Sequence, residues 1–168
     1  MAKMIVETLR LALRELTVDD AEFILGLVNE PSFLANIGDK GVRTLDDAKR
    51  FILDGPWKRG QRRGYGQFLV ELKPDATPIG VCGLLYRKNL GVTDIGCAFL
   101  PGFWRQGFAF ESATAVMNYG RSRLGIQKIV GLTSEENLAS IALLEKFGMR
   151  FEKTVKMTDD DPGTALYS

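Results

Sequence analysis

The chain has 168 residues, 45% hydrophobic and 26% charged, with 22 Lys plus Arg against 21 Asp plus Glu and no histidine. A chain of this length buries roughly 70% of its unfolded surface and needs no disulfide or metal to hold a core. Its net charge of +1 gives no global attraction to nucleic acid or an anionic membrane, and without histidine neither a Cys/His metal site nor a His-based triad can be assembled.

From the N-terminus, "MAKMIVETLRLALREL" lacks the unbroken apolar core and cleavage site of a signal peptide, and the longest apolar-rich run, "PIGVCGLLY", is too short to cross a bilayer. "TLRLALREL" (Thr8–Leu16) alternates Leu9, Leu11 and Leu13 with Arg10, Ala12 and Arg14, which predicts a half-buried strand. Two helix starts follow. Thr17 with Asp20, and Thr44 with Asp47, are spaced as capping-box variants. Behind them Ala21, Ile24, Leu25 and Val28 form one apolar stripe, and Ala48, Phe51 and Ile52 another. The basic run "WKRGQRRGY" (Trp57–Tyr65) reads as a solvated loop or as a loop that docks a partner.

Three strands come next, over 64–72, 78–87 and 92–100, joined by the turns "KPDAT" and "KNLG" as antiparallel hairpins. Folding the second hairpin sets Cys82 nearly opposite Cys97, and both are expected to be reduced, buried core residues. A helix (109–124), a strand ("QKIVGLTS"), a helix ("NLASIALLEKF") closed by Gly148, and a further strand ("MRFEKTVKM") complete the pattern. No linker, repeat or low-complexity block interrupts it. The expectation is a single domain over 1–168, cytoplasmic, and α+β in class: a central mixed, mostly antiparallel sheet of six to seven strands with helices on both faces.

Two junctions carry candidate chemistry. At "PGFWRQGFAF" a strand gives way to a helix, where backbone N–H groups lack partners at the positive end of the helix dipole. Gln106, Gly107, Phe108 and Ala109 would offer N–H groups to a phosphate and Arg105 a cation; the alternative is a plain structural turn. At "TSEENLAS" Asn137 opens a second helix with Ser140 three residues later, either as simple capping or as a polar rim of the same cleft.

These residues carry a resemblance. "DIGCAFLPGFWRQGFAFESATAVMNYGRSRLGIQKIVGLTSEENLASIALLEKFGMRFE" resembles the acetyl-coenzyme A-binding half of a GNAT N-acetyltransferase, and in particular the branch of the ribosomal-protein N-terminal acetyltransferases. The likeness covers nearly the whole chain. It implies the GNAT fold, with acetyl-CoA as cosubstrate and no metal. It also implies that the turn Arg105–Phe110, including Gln106, Gly107, Phe108 and Ala109, cradles the pyrophosphate. The edge formed by Ala98, Phe99 and Leu100 would pair with the pantetheine amides, Asn137 would bond the pantetheine arm, and Ser140 would face the thioester sulfur. The chain departs from the family pattern at Trp104, where the phosphate loop often has Gln or Arg, and in ending soon after Asp159–Asp161.

Direct acetyl transfer needs a neutral amine and a proton for the departing thiolate. An α-amine, with a reference pKa of about 7.7–8.0, is far easier to use without histidine than a lysine near 10.4. Ser140 is the candidate proton donor, Asp94 and Glu71 the candidate proton acceptors, and Tyr86 a further one; Glu111, in the first helical turn, reads as complementing the helix dipole. The expected partner is an amine acceptor such as a protein or peptide N-terminus, with neither membrane nor nucleic acid, and the protein a monomer or homodimer. The other readings are an acetyltransferase of a small amine (a polyamine, an aminoglycoside or an amino-acid-like molecule) and an acyl-CoA-binding module without turnover. A mononucleotide-binding domain of another fold is disfavoured, because "GxxxxGK[ST]" is absent.

Overall fold

The computed structural model describes residues 2–59, 63 and 65–168. Two short strands, β1 (Met4–Glu7) and β2 (Leu11–Glu15), pair antiparallel at one edge of the sheet. The single strand expected over Thr8–Leu16 is therefore a corner followed by a strand: Leu9 lies in the corner and is 92% exposed. Leu11, Ala12 and Leu13 are all buried, because helices cover both faces of β2. Alternation marked the strand but not its entry.

Four helices cross one face: α1 (Ala21–Val28), α2 (Pro31–Asn36), α3 (Leu45–Asp54) and α4 (Pro56–Arg59). The two acidic caps act as expected. Asp20 accepts the Thr17 N–H at 2.8 Å, and Asp47 and Thr44 exchange bonds of 3.0 and 3.1 Å. Ile24, Leu27, Val28, Phe33, Ile52 and Trp57 pack from these helices onto Leu69 and Val81 of the sheet. The basic run Trp57–Tyr65, read as a solvated loop or one that docks a partner, includes residues 60–62 and 64, which lie outside the described residues.

The meander β3 (Gln67–Leu72), β4 (Thr77–Arg87) and β5 (Val92–Phe99) is antiparallel throughout. Cys82 and Cys97 are direct partners with their α-carbons 4.1 Å apart. The structure joins them as a disulfide, which corrects the expectation of two free thiols. Direct opposition on one face of a hairpin, rather than burial alone, decides what two cysteines can do.

The long helix α5 (Phe108–Leu124) packs on the other face of the sheet, followed by β6 (Ile129–Thr133), α6 (Leu138–Lys146), β7 (Phe151–Val155) and β8 (Thr164–Tyr167). Phe108, Ala113, Val116 and Met117 of α5 and Leu144 of α6 form the second core with Leu13, Phe68, Cys82, Leu84 and Ile95. Gly148 takes φ +85°, and the N–H groups of Gly148 and Met149 turn back to Glu145 and Leu144, the Schellman closure of α6.

Among the described residues the sheet has eight strands in the order β1-β2-β3-β4-β5-β6-β8-β7, with only β5 and β6 parallel. The six to seven expected strands miss β1 and β8, each of four residues, too short for an alternation to register. β8 inserts between β6 and β7. Asp161 shapes the turn before it, accepting bonds from the Met157 and Gly163 N–H groups and the Thr164 hydroxyl.

Candidate active site

The parallel pair breaks early, and the break makes the site. β5 pairs with β4 along its whole length, from Val92 opposite Arg87 to Phe99 opposite Gly80. With β6 it pairs only through Thr93 and Asp94, after which β6 turns to β8. From Ile95 to Phe99 one backbone edge of β5 therefore has no strand beside it. A cleft of about 1270 Å³ opens there, lined from β5 by Asp94–Phe99, from α5 by its first turn, and from α6 by Asn137 and Ser140.

The α5 end of the cleft is built from main chain. Arg105 (φ +61°) and Gly107 (φ +83°) both take left-handed backbone, and Gly107 caps the helix. Phe108, Ala109 and Phe110 are the first residues of α5, whose N–H groups have no turn before them to bond. A β-carbon on Gly107 would stand 3.3 Å from the Arg10 guanidinium. Arg10 straps this turn from the β1–β2 corner: Nη1 donates to the Gln106 carbonyl at 2.9 Å, Nε to Glu111 at 2.7 Å, and its guanidinium lies 4.4 Å from the Phe108 ring centre. Glu111 also accepts the Thr8 hydroxyl at 2.6 Å. Burial works against its charge, but the Thr8, Arg10 N–H and guanidinium donors outweigh it and hold the carboxyl below its ordinary range. Glu111 is thus a cross-link from β1–β2 to α5 as well as a helix-start charge.

Arg105, Gly107, Phe108, Ala109 and Phe110 line the cleft, whereas Gln106 turns its side chain back to the Gly102 carbonyl at 3.1 Å. Ala98 and Phe99 also line it; Leu100 lies past the strand end, and its N–H bonds Ile79. Trp104 holds the Phe99 carbonyl with its indole N–H at 2.9 Å.

On α6, Asn137 caps the helix with its carbonyl oxygen, which accepts the Ser140 N–H at 3.2 Å. The amide nitrogen of Asn137 and the hydroxyl of Ser140 have no protein partner among the described residues, and both residues line the cleft.

The two proposed proton acceptors part company. Asp94 is 2% exposed in the cleft wall, with Oδ2 bonded to Arg87 Nε at 2.5 Å. Burial pushes its carboxyl above the ordinary range, and Arg87 only partly offsets this. Glu71 lies outside the cleft, at the far end of β3. There Arg14 donates to it at 2.9 Å and forks onto Asp20 at 2.9 and 2.8 Å, so Glu71 belongs to a structural ion network. Spacing could not separate the two carboxylates, since both lie on strands facing α1–α4. Tyr86 also lines the cleft, its ring covered by the Arg63 guanidinium at 3.9 Å.

A family model described as an acetyltransferase (GNAT) domain matches residues 10–150. The chain belongs to the GNAT acetyltransferase family. It is an acyltransferase of the acetyl-CoA-dependent kind. Among its relatives is the uncharacterized N-acetyltransferase YoaA of Bacillus subtilis, 30% identical over 162 residues, covering 95% of this chain and 90% of that one. Of the solved structures, RimL, a ribosomal L7/L12 α-N-protein acetyltransferase in complex with coenzyme A, superposes with a TM-score of 0.83 at 19% identity, covering 98% of this chain and 96% of that one. An acetyltransferase of Salmonella typhimurium that modifies the N-terminal serine of L7/L12 superposes at 0.79 and 18%, covering 98% and 97%. These likenesses show the fold. The described residues include no helix long and apolar enough to cross a membrane and no group of three or more His, Cys, Asp or Glu placed to hold a metal ion.

Proposed function

We propose that residues 1–168 act as one domain that moves an acetyl group from acetyl-CoA to a primary amine, the amine being a peptide or protein N-terminal α-amine. The observation that carries this reading is the unpaired β5 edge lying between two helix starts. The residues present fit the coenzyme. The free edge at Cys97–Phe99 suits the amides of a pantetheine arm, the first turn of α5 suits a pyrophosphate, and the Asn137 amide N–H groups are free to donate. When bound, acetyl-CoA supplies the acyl group and a thiolate leaving group.

This chain's residues then divide the remaining work. Asp94, whose burial raises its carboxyl above the ordinary range and so makes its ionised form a stronger base, takes a proton from the amine; its Oδ1 has no protein partner among the described residues while Oδ2 is held by Arg87. Ser140 offers its hydroxyl proton to the leaving sulfur. With no histidine in the chain, an α-amine, neutral in good part near pH 7, suits a carboxylate base better than a lysine does.

Charge bears on the choice of acceptor. Away from α5 and α6, the cleft is lined by Lys40, Arg63 and Lys88 against Glu30, with Arg87 and Asp94 neutralising each other. Burial lowers the Lys40 ammonium, and the neighbouring Arg87 charge adds to it. A polycationic polyamine or aminoglycoside meets like charge here, whereas a peptide N-terminus or an amino-acid-like amine with an anionic group does not. A cytoplasmic setting, where the acyl-CoA pool lies, fits this reading. The test is a panel of N-terminal peptides, amino acids, spermidine and kanamycin incubated with acetyl-CoA and read by mass spectrometry. Acetylation of α-amines supports the proposal; exclusive acetylation of the polycations overturns it.

A further inference from the structure

Away from α5 and α6, the cleft carries more positive charge than its own carboxylates balance. Lys40, Arg63, Arg87 and Lys88 line it against Glu30 and Asp94. Arg63 is laid over the Tyr86 ring. Lys40 has no hydrogen bond or ion pair among the described residues. Even the carboxylate beside it in the chain is taken, since Asp39 accepts Arg43 Nη2 at 2.5 Å and the Gly41 N–H at 2.8 Å. Lys40 is open to solvent, yet the cleft walls and then the like charge of Arg87 hold its ammonium below the ordinary range.

Arg87 is only partly used. Its Nε donates to Asp94 Oδ2 at 2.5 Å, while its Nη groups have no protein partner among the described residues. Most of the donors of the guanidinium fork are thus free, and a planar carboxylate fits such a fork with two parallel bonds. Two neighbouring cations, one without an anion and the other with donors to spare, suit an anion that comes from outside the chain.

We propose that the Nη groups of Arg87 and the Lys40 ammonium hold a carboxylate of the acceptor, so that the substrate is an α-amine with an acidic group close to it. The inference rests on the acyltransferase reading of the cleft. Arg87 sets the separation. The guanidinium that fixes the proposed base also grips the carboxylate, so the anion lies within a few bonds of the reacting amine. A free amino acid meets that condition through its α-carboxylate, and a peptide that begins with Asp or Glu meets it through its first side chain. A carboxylate further along a peptide does not. A neutral N-terminus leaves both cations without their anion. Lys40 acts here on specificity and takes no part in proton transfer.

Arg87 also holds the base, so its variants mix the two roles; Lys40 variants do not. Lys40→Met keeps the apolar stem and removes the charge. The probes are the aspartyl-alanyl-alanine and asparaginyl-alanyl-alanine amides and free asparagine, with thiol release from acetyl-CoA as the readout. In the parent, kcat/KM for the better of the two carboxylate-bearing acceptors should exceed that for the asparaginyl tripeptide about tenfold or more, the scale of a charge-assisted bond. Which of the two it is names the source of the carboxylate. Lys40→Met should raise the KM of that acceptor about tenfold and shrink the preference by a similar factor, while the KM for acetyl-CoA stays within twofold. Lys40→Glu should abolish the preference. A parent without it, or a Lys40→Met variant that keeps it, overturns the proposal and leaves the α-amine reading standing. A parent that binds acetyl-CoA and acetylates none of the three also overturns it. Failure to bind acetyl-CoA would instead sink the acyltransferase reading beneath it.

Discussion

The two ends of the cleft are made in different ways. The α5–α6 end offers main chain: a free strand edge, two left-handed residues and two helix starts, all within 95–140. The other end offers side chains brought together from β3, β4, β5 and the segment after α2: Gln67, Arg87, Asp94 and Lys40. The first kind of site suits a ligand of fixed shape and charge. The second kind can be altered one residue at a time without disturbing the fold, which is how one scaffold can serve many acceptors. Variants at the two ends should therefore fail differently: one set in coenzyme binding, the other in amine use and pH response.

The largest expected effect is at the side-chain end. Asp94→Asn should lower kcat by about 100-fold or more, the usual scale of a lost general base. In the parent, activity should fall as pH drops through the raised Asp94 value, because the base works only ionised. Stability runs the other way. A carboxyl whose folded pKa is raised favours folding below the ordinary carboxylate range, and that contribution is lost as pH rises through the folded value. At neutral pH the ionised Asp94 is thus a cost, and Asp94→Asn should leave the melting temperature unchanged or higher. A kcat within threefold of the parent would remove Asp94 from the mechanism.

Ser140→Ala comes next, with kcat lower by about tenfold to a hundredfold and acetyl-CoA affinity nearly unchanged, since the bond strengthens only as the thiolate develops. The capping bond here comes from the Ser140 main-chain N–H, so alanine keeps it and the melting temperature should not move. Unchanged kcat would leave the hydroxyl without a role. At the main-chain end, Gly107→Val should raise the coenzyme A dissociation constant about tenfold, or roughly 1.4 kcal/mol. A branched side chain at φ +83° strains the turn and crowds Arg10. Titration calorimetry on folded protein checks this, and unchanged affinity would place the phosphates elsewhere.

The same contrast explains what could be read from the sequence. The α5 and α6 starts were legible because glycine, asparagine and turn spacing are local signals, and so were the two acidic caps and the opposition of Cys82 and Cys97. The thiol pairing was not, because composition suggested burial and said nothing of two sulfurs meeting. Asp94 and Glu71 looked alike as strand carboxylates; only the partner told them apart, Arg14 with Asp20 for one and the cleft for the other. Gln67 gave no signal at all. Its setting depends on two glycines 16 and 29 residues away that meet it only through strand register.

The smallest effect tests the main-chain end most finely, at the one side chain serving two masters. Asn137 Oδ1 caps α6 through the Ser140 N–H, leaving Nδ2 for the cleft. Asn137→Asp keeps a capping oxygen, and its charge suits the helix start, so the melting temperature should hold. What is lost is the donor. If Nδ2 bonds the pantetheine arm, coenzyme A affinity should fall about fivefold, roughly 1 kcal/mol, the size of one hydrogen bond. Asn137→Ala should show the same loss of affinity together with lower stability, by about 1 kcal/mol for the missing cap. Affinity that follows stability, unchanged in Asn137→Asp and lower only in Asn137→Ala, would make Asn137 a cap and nothing more, and the arm would then be held by the β5 edge alone.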